Sequence, residues 1–130
     1  MNSEILEAER LVYFFVVDKR LKYPEGRSRI AYIGTSRNGL DRVLTSVAER
    51  AKPIFEIHGV NRIQVCTVGC APRRRVKAWR ILERACLLAF RDVYGKVPWE
   101  NVVGKALEED DEFEYFDRGS VRRLLKEIGR

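Results

Sequence analysis

The chain has 130 residues, 45% of them hydrophobic, enough for a single domain around one apolar core. Its polar, acidic start does not read as a secretory signal, and its longest apolar stretch, Leu11 to Val17, is too short to span a bilayer. Residues 10–105 carry 20 Lys/Arg against 8 Asp/Glu, whereas 106–117 carry seven acids and no base, so a basic body suited to a polyanion is followed by an acidic run.

In chain order, Leu11–Val17 is a continuous apolar, β-branched and aromatic run, which predicts a buried strand. Asp18 to Ser28 is charged and contains Pro24 and Gly26, the composition of a long hairpin loop. Residues 29–34 predict a second strand ending at Gly34. Residues 40–51 place Leu40, Val43, Leu44, Val47, Ala48 and Ala51 on one helical face, with Pro53 expected to stop the helix. Residues 62–68 alternate as a third strand. Pro72 suits a first helical turn and opens a long helix to about Tyr94, with an apolar stripe of Trp79, Leu82, Cys86, Ala89, Phe90 and Val93. After Gly95 come a loop with Pro98, an acidic connector over 106–117 and a short helix over about 119–128. The expected fold is α/β (α+β), one domain over 1–130 in the order β-β-α-β-α-α. A small three-stranded mixed or antiparallel sheet is flanked by helices.

The three cysteines, Cys66, Cys70 and Cys86, are an odd number with no second close pair, and His58 is the only histidine. They read as small apolar thiols rather than as a disulfide framework or a zinc site. Glu83 is the single carboxylate among seven Lys/Arg between Arg73 and Arg91, at the edge of an apolar stripe. Such an acid must be ion-paired, metal-bound or neutral. The triplet Arg73, Arg74 and Arg75 opposes the helix dipole at a predicted helix start, where a docked phosphate would reverse the sign and solvated side chains are the alternative. Tyr13 and Tyr32 fall inside the first two strands, where pairing sets them side by side, as packing partners or as site residues.

These residues, in this order, resemble the GIY-YIG endonuclease superfamily. The first signature keeps its tyrosine in Leu11-Val12-Tyr13, and the second is intact as Tyr32-Ile33-Gly34. Arg42 stands at the family arginine's distance from that glycine. Leu82-Glu83 matches the start of the metal-binding glutamate pattern on a long helix, and Asn101 matches the closing asparagine. The resemblance covers about residues 10–103. This chain departs from the pattern at Leu11, which replaces a glycine, at Thr35, where many members carry lysine, and at Ser46, where many carry histidine or tyrosine. The loop between the tyrosines is also longer than usual.

The resemblance implies metal-dependent hydrolysis of phosphodiester bonds in DNA, as in repair or recombination, with RNA as a further candidate partner. Tyr13, Tyr32, Arg42, Glu83 and Asn101 would be catalytic, with Glu83 holding one Mg²⁺ or Mn²⁺. Arg37, Arg73, Arg74, Arg75, Lys77, Arg80 and Arg84 would contact the nucleic-acid backbone. A soluble, intracellular, cytoplasmic protein is expected, with association with the nucleoid left open. The departures leave an inactive or weakened nucleic-acid-binding module of the same fold as the alternative, and an unrelated basic RNA- or protein-binding domain as a third reading. The acidic run reads as a solvated connector, with a cover over the basic face as its alternative.

Overall fold

The apolar run that begins at Leu11 becomes the middle of a sheet. In the computed structural model, which describes residues 10–37, 39–70, 77–102 and 107–130, the elements are β1 (Leu11–Tyr23), β2 (Gly26–Ser36), α1 (Leu40–His58), β3 (Ile63–Gly69), α2 (Ala78–Tyr94), α3 (Glu112–Tyr115) and α4 (Arg118–Ile128). The sheet order is β2-β1-β3 and both pairings are antiparallel. A strand paired on both sides and covered on both faces must be apolar at every position, which is why Leu11 to Val17 shows no alternation and is buried throughout. Burying each such side chain contributes roughly 1.5–3 kcal/mol.

The charged stretch after Val17 is not a loop. Val16 pairs with Ile30 and Leu21 with Ser28, so β1 carries extra residues opposite Arg29 and bulges there, with Val17 turned to Ile63 on β3. The irregularity takes up Asp18 to Arg20, and the strands then re-pair as far as Tyr23 and Gly26, leaving only Pro24 and Glu25 in the turn. Asp18 is tied down by accepting the N–H groups of Asn61 and Arg62.

Pro53 does not end α1. The helix runs on to His58 and stops at Gly59, whose left-handed backbone (φ 63°) lets its N–H reach the Phe55 carbonyl. The buried side of α1 is also turned from the expected face: Val43, Ser46 and Ile54 are buried, while Leu40 and Leu44 face solvent. Val43 and Ile54 pack into the core, and on that same side the Tyr13 hydroxyl donates to Ser46 at 3.1 Å, giving the polar position a buried partner.

In α2 the stripe from Trp79 through Leu82, Cys86, Ala89 and Phe90 is buried as expected, and Val93 is partly buried. The expected start at Pro72 lies outside the described residues, as do Arg73, Arg74 and Arg75. C-terminally, the helix begins at Arg118 because Asp117 caps it, accepting the Ser120 N–H at 2.9 Å.

The acidic run docks rather than hanging free, and it contains α3. Arg84 donates to buried Glu112 at 2.9 Å and to the Glu108 carbonyl at 2.7 Å. Arg91 donates to the Leu107 carbonyl at 2.6 Å, and Arg118 bridges Asp92 and Glu109. Glu108, Glu109, Asp110 and Glu114 remain exposed. No helix among the described residues is long and apolar enough to cross a membrane.

Candidate active site

Strand pairing decides which side chains can meet. Tyr13 pairs with Gly34 and Phe15 with Tyr32, so Tyr13, Phe15 and Tyr32 share the face that α1 covers. Ile33 and Thr35 point to the opposite face, with Phe14 and Val12. β2 is an edge strand, so its free side is where the layers on the two faces can join.

A cavity of about 300 Å³ sits on that edge, lined by Tyr32 and Ile33 from β2, Arg50 from α1, Glu83, Arg84 and Leu87 from α2, and Glu100, Asn101, Val102 and Leu107 from the following segments. An apolar groove of similar size, between β3, α2 and α4, contains none of these residues.

Gly34 is what allows the two phenols to approach. A Cβ there would lie 2.6 Å from Tyr13 Cζ and 2.8 Å from Tyr32 Cε2, closer than any real packing allows. With no side chain at that point, the rings sit 5.9 Å apart. Tyr13 is buried and bonded to Ser46, so it supports Tyr32 from beneath rather than lining the cavity. Burial pushes the Tyr32 phenol up to about 12, with Tyr13 adding to the rise and the Arg50 guanidinium opposing it. At neutral pH Tyr32 is therefore a hydroxyl donor, not a phenolate.

Asn101 completes the edge. Its Oδ1 accepts the Ile33 N–H at 3.0 Å, and its Nδ2 donates to the Ile33 carbonyl at 2.8 Å, so the carboxamide pairs with the strand as another strand would. Only an amide carries both a donor and an acceptor in that arrangement. The loop holding it is pinned. Glu100 N–H donates to the Ala31 carbonyl, Trp99 Nε1 to the Lys22 carbonyl and Trp99 N–H to the Tyr23 hydroxyl. Glu100 also meets His58 Nε2 at 2.8 Å, tying the end of α1 to the same loop.

Glu83 enters from α2. Burial raises its carboxyl above the ordinary value, opposed by a hydrogen bond from the Thr35 side chain and by the charges of Arg80 and Arg84. A carboxylate short of compensation, facing a cavity, suits a cation. Among the described residues no group of three or more His, Cys, Asp or Glu side chains is placed to hold a metal ion. One carboxylate with waters and substrate oxygens is nonetheless a usual set for magnesium, so the residues present fit that ion.

No protein-family model, curated protein or solved structure matches this chain.

Of the residues singled out from the sequence, Tyr32, Glu83 and Asn101 line one cavity and Tyr13 packs directly behind it. Arg42 does not line it. It is exposed on the first turn of α1, one turn before Ser46. The guanidinium actually placed on Tyr32 is that of Arg50, 4.2 Å from the ring centroid. Sequence carried a signal for it: Val43, Val47, Arg50 and Ile54 share one helical stripe, and a charge inside an apolar stripe is out of place. Arg37, Lys77 and Arg80 are exposed and available to a polyanion. Arg84 lines the cavity and is partly engaged, donating to Glu112 and to the Glu108 carbonyl while its side chain stays 42% exposed.

Proposed function

We propose that this protein is a metal-dependent endonuclease of the GIY-YIG type, hydrolysing phosphodiester bonds in DNA. The observation that carries this reading is the meeting of Tyr32, Glu83 and Asn101 in one cavity, brought from a strand, a helix and a loop far apart in the chain. Two of the three positions that depart from the family pattern also touch the site: Thr35 bonds to Glu83, and Ser46 receives Tyr13.

In this reading Glu83 holds one Mg²⁺ or Mn²⁺, which when bound supplies positive charge for the phosphate and the leaving oxygen. The Tyr32 hydroxyl orients the attacking water by hydrogen bonding, since a phenol raised to about 12 does not deprotonate it unaided. Tyr13 holds the Tyr32 ring in place. Asn101 acts on the backbone at Ile33 and so fixes the strand that presents Tyr32. Arg42, on the outer turn of α1, meets the phosphate from solvent with its planar fork. Exposed Arg37, Lys77 and Arg80 contact backbone away from the cut.

A second reading, a nucleic-acid-binding module with a weakened site, is favoured by one observation: burial raises the Tyr32 phenol to about 12, so at neutral pH it is a hydroxyl and not a base. One experiment separates the two. The protein is incubated with duplex, single-stranded, flapped and branched DNA, with and without Mn²⁺, alongside Glu83→Ala. Mn²⁺-dependent cuts lost in the variant support the nuclease. Binding without cuts supports the module, and neither binding nor cutting refutes both.

A further inference from the structure

Among the described residues, four charged side chains line the cavity, and three have a partner: Arg84 pairs with Glu112, Glu100 with His58, and Glu83 accepts from Thr35. Arg50 is different. Its Nε is buried and meets no acceptor among the described residues, while its guanidinium lies over the Tyr32 ring at 4.2 Å. A buried guanidinium donor without an acceptor is unfavourable, and a stacked, planar guanidinium has lost the freedom to seek one elsewhere.

We infer that Arg50 is a substrate-binding residue that takes an anionic phosphate oxygen inside the cavity. The inference rests on the nucleic-acid reading for the identity of its ligand, but its geometry stands apart from any motif. Arg50 lines the same space as Glu83, and Tyr32 forms the floor beneath it. An oxygen held there lies beside both the carboxylate and the phenol. The division of labour follows from exposure: Arg42 meets the backbone from solvent, and Arg50 fixes one phosphate within the pocket. Stacking gives the fork a set orientation, so less freedom is lost when it binds.

The test uses inorganic phosphate and a 5′-phosphorylated dinucleotide as probes, followed by NMR of the Arg50 Nε–H and the Tyr32 ring. Both signals should move on titration, and Arg50→Ala should weaken binding of the dinucleotide at least about tenfold, as expected for losing a charge-assisted hydrogen bond. Arg50→Lys, which keeps the charge and loses the planar fork, should also bind more weakly. Should Arg50→Ala fail to fold, the wild-type Nε–H shift and Arg50→Lys still decide. Probes that leave the Arg50 and Tyr32 signals in place, or variants that bind as wild type does, overturn the inference. Arg50-dependent phosphate binding without cleavage of any DNA leaves Arg50 in place and removes the nuclease. DNA cut with the same KM and kcat by wild type and Arg50→Lys removes Arg50 and leaves the nuclease.

Discussion

Replacing Asn101 with alanine tests how the site is held together. The substitution deletes two partly buried hydrogen bonds, of 3.0 and 2.8 Å, both to Ile33. Each contributes about 0.5–1.5 kcal/mol net, toward the upper end where the freed groups stay shut from water. The loop is also fixed by Trp99 and by the Glu100–His58 contact, so it is not free to swing away and let solvent in. A loss of about 2 kcal/mol is therefore expected, or a fall in Tm of roughly 6–10 °C for a domain of this size. Thermal unfolding followed by circular dichroism measures it, with amide hydrogen exchange at Ile33 as the local readout. Asn101→Asp keeps the acceptor for the Ile33 N–H but offers the Ile33 carbonyl no donor, so it should lie between wild type and alanine. An unchanged Tm, with Ile33 exchanging as slowly as before, would refute the edge-strand role.

Gly34→Ala should cost about 1–3 kcal/mol by overpacking and should abolish activity, because its Cβ would displace both Tyr13 and Tyr32; melting and cleavage assays check it. Because burial raises the Glu83 carboxyl, its protonation should weaken metal binding already at a pH where an ordinary glutamate is still ionised, seen as a Mn²⁺ affinity that falls early on acidification. By the same sign, Glu83→Gln should melt higher than wild type at neutral pH while losing cleavage. Glu112 behaves oppositely. Burial alone would raise its carboxyl, but the Asp110 N–H and Arg84 outweigh that and depress it, so its contribution is complete above the usual 4.5 and lost as pH falls through the lower folded value. Glu112→Gln should cost about 1–2 kcal/mol at neutral pH, a modest figure because Arg84 is partly solvated, and the deficit should vanish in acid.

Much of the fold was legible because single signals were strong. A short, unbroken apolar run rich in β-branched and aromatic residues reads as a strand covered on both sides, and Leu11 to Val17 is one. Trp79 to Phe90 repeats at helical spacing, and it packs that way. The misread segments are those where tertiary context overrode local composition. Asp18 to Ser28 reads as a loop from its charges, Pro24 and Gly26, whereas a bulge exposes the charges of Asp18 to Arg20 without leaving the strand and the turn itself is only Pro24 and Glu25. Pro53 looked like a stop, yet Gly59 supplies the left-handed conformation that ends α1. Glu83 stood out as a lone acid among bases, and it does reach the cavity. Arg50 was missed because Arg42 satisfied a spacing, and spacing along a chain does not report which way a helix is turned. That rotation shows only in tertiary contacts, such as the hydrogen bond between Tyr13 and Ser46, 33 residues apart. The docked acidic segment was hidden for a similar reason: composition shows seven acids, and only geometry shows that one of them is buried against Arg84.

Paramagnetic broadening by Mn²⁺ tests the central claim most directly. At low Mn²⁺, the amide signals of Glu83, Thr35 and Tyr32 should broaden first, and Glu83→Gln should abolish that pattern. Broadening confined to the exposed acids of 108–117, or unaltered by the substitution, would mean that the cavity over β2 is not a metal site, and the nuclease proposal would fail with it.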